Sequence, residues 1–469
     1  MRIIQLVNGM VWGIPALVLI LGVGLYLSVG TGFAQIRFFP RAFKSFLDRL
    51  LNREKTLGVS PFQALCTALA ATVGTGNLAG VAGAIAIGGP GAVFWMWICG
   101  ILGMVTKFAE ATLAVRYQVQ NPHGGCVSGP MYMISRGLGR EWKSLATVYC
   151  LFGVVASFGV GNCTQINAVL TGIHDVASSL KIQQAEQYDL MIGVILGILV
   201  AAMLLGGARR IGQAAERMVP IAAGIYILLS VGVLILCADR LPDAIRRILI
   251  GAFSPKAVTG GAVGSAYLAL RVGVSRGVFT NEAGMGTASM AHGSAQVTHP
   301  AEQGLMGIME VFLDTLVICT LTALVILVSG VDIPYGIDEG LALTNRAFSA
   351  VYGPWVSVVI TLETCCFAFA TILGWGLYGA RCAAFLFDRD LWKPFALLQG
   401  VTVVFSSVWD TGTVWLLADT VNGLMAIPNL IALVMLSPEL AQLTQAYGRN
   451  SSFIIKPRNS QQIIESDHF

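Results

Sequence analysis

Charged side chains are scarce in this sequence: Asp, Glu, Lys and Arg make up 12% of the 469 residues, whereas hydrophobic residues make up 55%. Soluble domains carry about 25% charged residues. A chain this poor in charge cannot cover an ordinary globular surface. The composition therefore excludes a soluble domain and predicts a membrane protein with many spans.

The sequence also lacks the residue clusters that several function classes need. It has no basic cluster of the kind that nucleic acids require, so no nucleic-acid partner is expected. The ten cysteines are scattered, and the five histidines lie in or near loops and the tail without zinc-ligand spacing. No nucleophile–base pair stands out. We therefore expect neither an enzyme nor an organic cofactor.

What is present is a series of apolar runs, each long enough to cross a bilayer as a helix. We predict an all-α polytopic protein with about eleven transmembrane helices. Residues 37–55 and 241–253 instead suit amphipathic helices on the membrane surface, and 338–352 a short helix in an outer loop. The predicted spans are residues 10–30, 61–87, 91–116, 144–171, 188–206, 214–238, 262–292, 302–329, 354–386, 392–408 and 413–437.

The distribution of Lys and Arg predicts the orientation of these spans. With the amino terminus outside, 19 of the 29 basic residues fall in inward segments and seven in outward segments. Cytoplasmic loops carry the excess of positive charge in membrane proteins. We therefore predict an external amino terminus and a cytoplasmic carboxyl terminus.

Two of the spans contain stretches that disfavour a continuous helix. In the second, Gly74–Asn77 combines two glycines with side chains that compete for backbone hydrogen bonds. In the seventh, Gly273–Thr287 is polar and rich in glycine. Such a stretch is either a close packing surface between helices or a break that lines a cavity or binds a polar group.

The position of these two stretches favours a binding site. Without the first span, ten spans remain in two sets of five, and an interrupted span begins each set. Paired broken helices at matching positions indicate the binding site of a transporter. We predict an extra span and surface helix in residues 1–60, inverted repeats in 61–240 and 241–437, and a loosely ordered cytoplasmic tail in 438–469.

These residues also carry a family resemblance. Gly74–Val81, Gly89–Trp97, Gly277–Gly284 and Thr371–Trp375 resemble the signatures of the alanine/glycine:cation symporter family, and the resemblance covers about residues 10–440. It implies the five-plus-five inverted-repeat fold of the leucine transporter. It also implies uptake of alanine or glycine with sodium, or in some members with protons. The expected partners are a small amino acid and the lipid bilayer of a bacterial plasma membrane, and we expect the protein to act as a monomer.

A broken helix exposes N–H groups at one end and carbonyl groups at the other, and these ends suit the carboxylate and ammonium of an amino acid. We assign the carboxylate to Thr75, Gly76 and Asn77, and the ammonium to carbonyls near Phe279 and Thr280. Sodium prefers oxygen ligands. The predicted sodium ligands are Thr72, Gly74, Asn77 and Asn281.

Four further residues complete the predicted site. The resemblance places Gln165 at the substrate, and Asn162, three residues away on nearly the same helix face, is the competing candidate. Phe279 and Trp375 are expected to wall the pocket and Thr371 to line it, with plain packing as the alternative role for the aromatic residues.

The remaining charges inside spans receive less specific predictions. Lys107 and Glu110, three residues apart on one helix, are expected to pair. Glu310 and Asp314 cannot neutralise each other, so one of them is protonated, paired with an arginine of the seventh span, or close to a cation. Three more carboxylates stay unassigned: Glu282, Glu363 and Asp419.

The leading hypothesis is a secondary active symporter that imports alanine or glycine with Na⁺ by alternating access. The alternative is a proton-coupled amino-acid transporter or an exchanger. A channel would need a continuous pore lined by polar rings. The polar residues here cluster at two breaks instead, so a channel is disfavoured.

Overall fold

A computed structural model of the chain describes residues 2–52, 58–120, 125–179, 182, 184–409 and 411–449. The described part is almost entirely helical, apart from a two-stranded antiparallel pair in which Val119 faces Val127. The helices are α1 Arg2–Val11, α2 Ile14–Gly30, α3 Ala34–Arg37, α4 Phe39–Leu51, α5 Pro61–Thr72, α6 Val81–Gly88, α7 Gly91–Arg116, α8 Pro130–Tyr132, α9 Lys143–Phe158, α10 Thr164–Ser179, α11 Asp189–Leu204, α12 Gly207–Leu236, α13 Leu241–Phe253, α14 Pro255–Thr259, α15 Ala266–Asn281, α16 Ser289–His292, α17 Pro300–Val311, α18 Thr320–Ser329, α19 Leu341–Tyr352, α20 Val356–Phe387, α21 Trp392–Ser406, α22 Thr411–Met435 and α23 Ser437–Gly448.

Short irregular helices and strands complete the order of elements. The π-helical turns are Gly76–Gly80, Met133–Leu138, Gly159–Cys163 and Phe312–Cys319. The 3₁₀ turns are Arg140–Trp142, Ala185–Tyr188 and Ala238–Arg240, and the strands are β1 Val119–Gln120 and β2 Cys126–Val127.

Length and apolar composition qualify seven helical stretches of the described chain to cross a bilayer, or nine if two bent pairs are included. The predicted spans 262–292 and 392–408 are not among them, because the first is split between α15 and α16 and the second is only the 15-residue α21. The polytopic all-α architecture is therefore confirmed, whereas the number eleven stays a prediction.

Loops predicted to share one side of the membrane meet at one end of the bundle. Arg116, at the end of α7, forms a 2.7 Å salt bridge with Glu439 of α23. Val59 and Ala295, in two segments predicted to lie on that same side of the membrane, form an isolated parallel β-bridge. The alternation of the spans thus agrees with the packing, while the side of the membrane that this end faces stays a prediction.

The predicted surface segments are helical. The segments 37–55, 241–253 and 338–352 contain α4, α13 and α19 respectively. The prediction of a loosely ordered tail after residue 437 is wrong for its first part, because α23 packs Leu440 and Leu443 into the protein. Residues 450–469 of that predicted tail lie outside the described residues.

The first predicted break is present where the sequence places it. Helix α5 ends at Thr72, Val73 adopts an extended conformation, and a π turn starting at Gly76 leads into α6. The two halves meet at an angle of 52°. The glycine-rich stretch therefore interrupts the span rather than only packing it.

The second break begins later than predicted. Helix α15 continues through Gly273 and Gly277 to Asn281, and the non-helical stretch covers residues 282–288. The earlier glycines serve close packing instead. A Cβ added to Gly273 would lie 2.3 Å from the carbonyl oxygen of Ala92 on α7. Small residues four apart allow membrane helices to approach in this way.

This contact predicts that Gly273→Ala destabilises the protein by about 1–3 kcal/mol, the usual cost of overpacking a core. The measurement is thermal or denaturant unfolding of the purified protein in detergent. Gly224→Ala in α12 is the matched control, because a Cβ there meets no atom within 4 Å. Equal effects of the two substitutions would contradict the assignment of Gly273 to helix packing.

Candidate functional site

The side chain of Asn77 organises the first helix break. Its Oδ1 accepts a 2.8 Å hydrogen bond from the backbone N–H of Gly74, and its Nδ2 donates a 2.6 Å hydrogen bond to Oδ1 of Asp314. Nδ2 also lies 3.3 Å from the main-chain oxygen of Asp314. Asn77 is fully buried. One amide therefore closes the break and joins it to the π turn that follows α17.

Asp314 is a functional candidate that sequence reasoning left undecided. It is fully buried, and the side chains that hydrogen-bond to it, Asn77 and Thr315, are neutral. Burying a carboxylate is costly unless a cation or sufficient hydrogen bonds compensate it. The available signal was an acidic residue within an apolar span. Only the fold shows that this acid, rather than Glu310, faces Asn77.

A chain of polar side chains connects the two broken helices. The Thr315 hydroxyl donates to Oδ2 of Asp314 at 2.8 Å and accepts a 3.0 Å hydrogen bond from Nδ2 of Asn281. Oδ1 of Asn281 accepts from the N–H of Ala283 at 2.9 Å. Asn281 therefore meets Asn77 only through Thr315 and Asp314. The chain places both breaks around one buried carboxylate.

The hydroxyl of Thr72, another predicted sodium ligand, points back along its own helix. It donates a 3.2 Å hydrogen bond to the carbonyl oxygen of Ala68. Gly74 contributes its N–H to Asn77 and lies against Thr371, since a Cβ on Gly74 would be 2.7 Å from the Thr371 hydroxyl. Oxygen ligands from this segment would therefore be its backbone carbonyls.

The predicted substrate residues converge on the first break. The hydroxyl of Thr75 donates a 3.2 Å hydrogen bond to Oε1 of Gln165 on α10. A Cβ on Gly76 would lie 3.4 Å from the side chains of Phe279 and Thr280. Glycine at position 76 thus leaves only a narrow gap between the two broken helices.

The competing candidate Asn162 points elsewhere. Its Nδ2 donates a short hydrogen bond to Oε1 of Gln399 on α21. Gln165 is held by a 3.2 Å hydrogen bond to the carbonyl oxygen of Val160, and its Oε1 faces Thr75. The fold therefore brings Gln165 to the break and leaves Asn162 in the packing between helices.

Trp375 links the site wall to the second break. Its Nε1 donates a 3.1 Å hydrogen bond to Oε1 of Glu282, whose Oε2 accepts from the Thr287 hydroxyl at 2.6 Å. A Cβ on Gly161 would be 2.5 Å from Cβ of Trp375.

The hydroxyl of Thr371, one turn earlier on α20, is buried and has no hydrogen-bond partner in the described part of the chain. It is a free polar group at the break.

A separate cluster of buried charges lies beside the second break. Lys107 Nζ is 3.2 Å from Oε1 of Glu310 and 4.0 Å from Oε2 of Glu110, so its main partner is Glu310 rather than the predicted Glu110. His292 also contacts Glu310, at 2.7 Å. These contacts compensate Glu310 and exclude its pairing with an arginine of the seventh span among the described residues.

Glu110 has a different set of partners. Its Oε1 accepts hydrogen bonds from the N–H groups of Gly284 and Gly286, at 2.9 and 3.0 Å, and from Nδ2 of Asn429 at 2.8 Å. Both glycines adopt positive φ, at 95° and 78°. The carboxylate therefore satisfies peptide groups that the break in the second helix leaves free.

Two carboxylates remain apart from this site. Asp419 accepts a 2.8 Å hydrogen bond from Nδ2 of Asn8 near the opposite end of the bundle. Glu363 on α20 is buried, and neither of its carboxylate oxygens has a hydrogen-bond partner among the described residues. The structure assigns neither residue to the helix breaks.

Comparison with known proteins identifies the family to which nearly the whole chain is similar. The sequence profile of the Sodium:alanine symporter family matches residues 1–461. The sodium/alanine symporter AgcS of Methanococcus maripaludis is 38% identical over 95% of this chain and 96% of its own length. The probable sodium/glutamine symporter GlnT of Bacillus subtilis is 36% identical over 96% of this chain and 91% of its own.

Solved structures show the fold. The crystal structure of MhsT in complex with L-phenylalanine superposes with a TM-score of 0.58 at 15% identity, over 84% of this chain and 99% of that one. At this identity the likeness concerns the fold alone, and it confirms the predicted leucine-transporter-like architecture. Because the family profile and relatives of matching length agree over nearly the whole sequence, the chain belongs to the sodium:alanine symporter family of membrane transporters.

Proposed function

We propose that this protein is a secondary active symporter that imports alanine or glycine together with Na⁺ by alternating access. The observation that carries the proposal is the contact between Asn77, inside the first helix break, and the buried Asp314. This contact joins the carboxylate that we propose as a cation ligand to the segment that we propose binds the substrate.

The cation site follows from electrostatics. Asp314 has neutral hydrogen-bond partners, and a hard oxygen ligand of negative charge attracts Na⁺ strongly at membrane depth. Backbone carbonyls at the end of α5 supply further oxygen ligands and the negative end of a helix dipole. We assign Na⁺ to the space between these carbonyls, Asp314 and the amide of Asn77, with Asn281 positioned through Thr315.

The substrate site lies on the other side of the same break. The N–H groups of Thr75 and Gly76 begin the second half of the broken span and carry a partial positive charge. The side-chain amide of Asn77 lies beside them, while the Asn77 N–H donates to the carbonyl oxygen of Gly74 at 3.2 Å. The N–H groups of Thr75 and Gly76 suit the carboxylate of an amino acid. The last carbonyls of α15, near Phe279 and Thr280, suit its ammonium group. The side-chain amide of Gln165 accepts a hydrogen bond from the Thr75 hydroxyl, and a bound substrate would form a hydrogen bond with the same amide.

The size of the site favours a small side chain. Gly74 lies against Thr371, and Gly76 lies against Phe279, closely enough that added methyl groups would meet these neighbours. The relatives named above are described as a sodium/alanine symporter and a probable sodium/glutamine symporter, two amino acids of different size. Among these, the close approach at Gly74 and Gly76 supports the smaller substrate for this chain.

The first prediction concerns coupling. Proteoliposomes prepared without Na⁺ should accumulate radiolabelled alanine when Na⁺ is added outside, because the ion gradient then drives uptake. Na⁺ and pH are varied independently. Uptake that ignores Na⁺ at every pH but follows a proton gradient would overturn sodium coupling and establish the proton-coupled alternative.

The second prediction concerns Asp314. Asp314→Asn should weaken Na⁺ activation of uptake roughly 10- to 100-fold, as expected for the loss of a group that tunes a metal site. The concentration of Na⁺ that gives half-maximal uptake is the measurement. Asp239→Asn, at an exposed position after α12, is the control. An unchanged Na⁺ response in Asp314→Asn, with normal expression, would remove Asp314 from the ion site.

The third prediction concerns size selection. Thr371→Ile adds bulk opposite Gly74, so alanine uptake should fall more than glycine uptake. The ratio of kcat/KM for the two substrates is the measurement, and Thr402→Ile, at a partly exposed position of α21, is the control. Equal losses for both amino acids would show that Thr371 does not line the substrate site.

A further inference from the structure

A basic pocket lies where α4 begins and α23 ends. Its volume is about 370 Å³, and three arginines line it: Arg37, Arg41 and Arg449. All three are exposed, and none forms a salt bridge within the part of the chain that the structure describes. The pocket is therefore a concentration of positive charge without an internal counter-ion in that part.

The arginines are held in place by an aromatic ring. The guanidinium of Arg37 lies 4.5 Å from the ring centre of Phe38, and that of Arg41 lies 5.7 Å from it. Phe38 itself is buried and packs edge-on against Tyr447 of α23 at 5.7 Å. Because the ring is fixed between two elements, the two guanidinium groups are positioned before any ligand arrives.

The helix that carries Arg41 has a second exposed surface, which is apolar. Phe43, Leu47 and Leu50 share one face of α4 and are 41%, 37% and 37% exposed. The neighbouring face of α4 packs into the protein, where Ala42 is fully buried and Phe46 meets Phe62 at 6.2 Å. Phe39 lies on the same face as Phe43 and stacks on its ring at 6.2 Å. An amphipathic helix with an unpaired apolar face and basic residues lies at a membrane surface. The arginine pocket is thus placed at the level of lipid headgroups.

We propose that this pocket binds the phosphate group of an anionic phospholipid, whose acyl chains lie along the exposed apolar face of α4. Guanidinium groups bind phosphate oxygens through paired hydrogen bonds. Basic residues at the surface of a membrane attract anionic lipids. A free phosphate ion would use the arginines alone, whereas the lipid also uses Phe43, Leu47 and Leu50. The combined surface therefore selects the lipid, independently of which solute is transported.

Side-chain contacts connect this pocket to the second helix break. Phe38 contacts Phe108 of α7 with ring centres 6.4 Å apart. Phe108 follows Lys107, whose ammonium group holds Glu310 beside the second break. A bound headgroup would clamp α4 and α23 against α7. We therefore expect anionic lipid to stabilise the folded protein.

The experiment measures lipid binding to the purified full-length protein by native mass spectrometry, with phosphatidylglycerol as the probe and phosphatidylcholine as the zwitterionic comparison. The variant is Arg37→Gln with Arg41→Gln and Arg449→Gln. We expect roughly 100-fold weaker binding of phosphatidylglycerol, because each surface basic residue contributes about 1 kcal/mol to attraction of anionic lipid. The thermal stabilisation that phosphatidylglycerol gives should disappear in the same variant.

The matched control removes three exposed arginines from the first turns of α12, Arg209→Gln with Arg210→Gln and Arg217→Gln. It should retain wild-type binding of phosphatidylglycerol. If folding of the first variant fails, replacement of the same three arginines by lysine keeps the charge, and binding should fall only in part as paired hydrogen bonds are lost.

Four results would overturn the proposal. One is wild-type affinity in the glutamine variant, and another is an equal loss in the control, which would reflect general charge. The third is equal stabilisation by inorganic phosphate alone, which would identify a site for a free anion. Binding of phosphatidylglycerol that appears only after removal of residues 450–469 would also count against it, since the carboxyl-terminal segment would then be the occupant.

Discussion

The hydrogen bonds of one amide, that of Asn77, hold together the first helix break and the proposed binding site around it. A helix interrupted inside a membrane leaves peptide groups that lipid cannot satisfy. The side-chain oxygen of Asn77 takes up the N–H of Gly74, and its nitrogen reaches Asp314. The break is thereby stabilised by the same contact that fixes a carboxylate beside it. A cation bound there would compete for groups that already shape the helix.

The second break is stabilised by other means. Glu110 accepts the N–H groups of Gly284 and Gly286, and Lys107 compensates Glu310 nearby. These charges satisfy one another or the backbone, so they serve to hold the broken helix in place. Asp314 differs from Glu310 because its hydrogen-bond partners are neutral and no salt bridge reaches it among the described residues. This difference in partners, rather than burial, is why we propose Asp314 and not Glu310 as the ligand of the ion.

Glycines elsewhere set the distances between helices. In the motif Gly89–Trp97, a Cβ on Gly91 would lie 2.0 Å from the carbonyl carbon of Gly251 on α13, and Trp95 donates to the carbonyl oxygen of Ala252 at 3.2 Å. This motif is accounted for by close packing of α7 against a surface helix. The motifs that carry the family resemblance therefore differ in role. This one brings two helix backbones into contact, whereas those at the helix breaks form the proposed binding site.

Local chemistry in the sequence determined the apolar spans, the surface helices and the first break, because hydropathy and glycine content act over neighbouring residues. The tertiary structure decided what depends on facing surfaces. It continued α15 through Gly277, turned Gln165 rather than Asn162 towards the break, and placed Asp314 against Asn77. Sequence spacing alone does not distinguish between residues on the same face of a helix. Which of them meets a partner is fixed only when helices distant in the chain pack together.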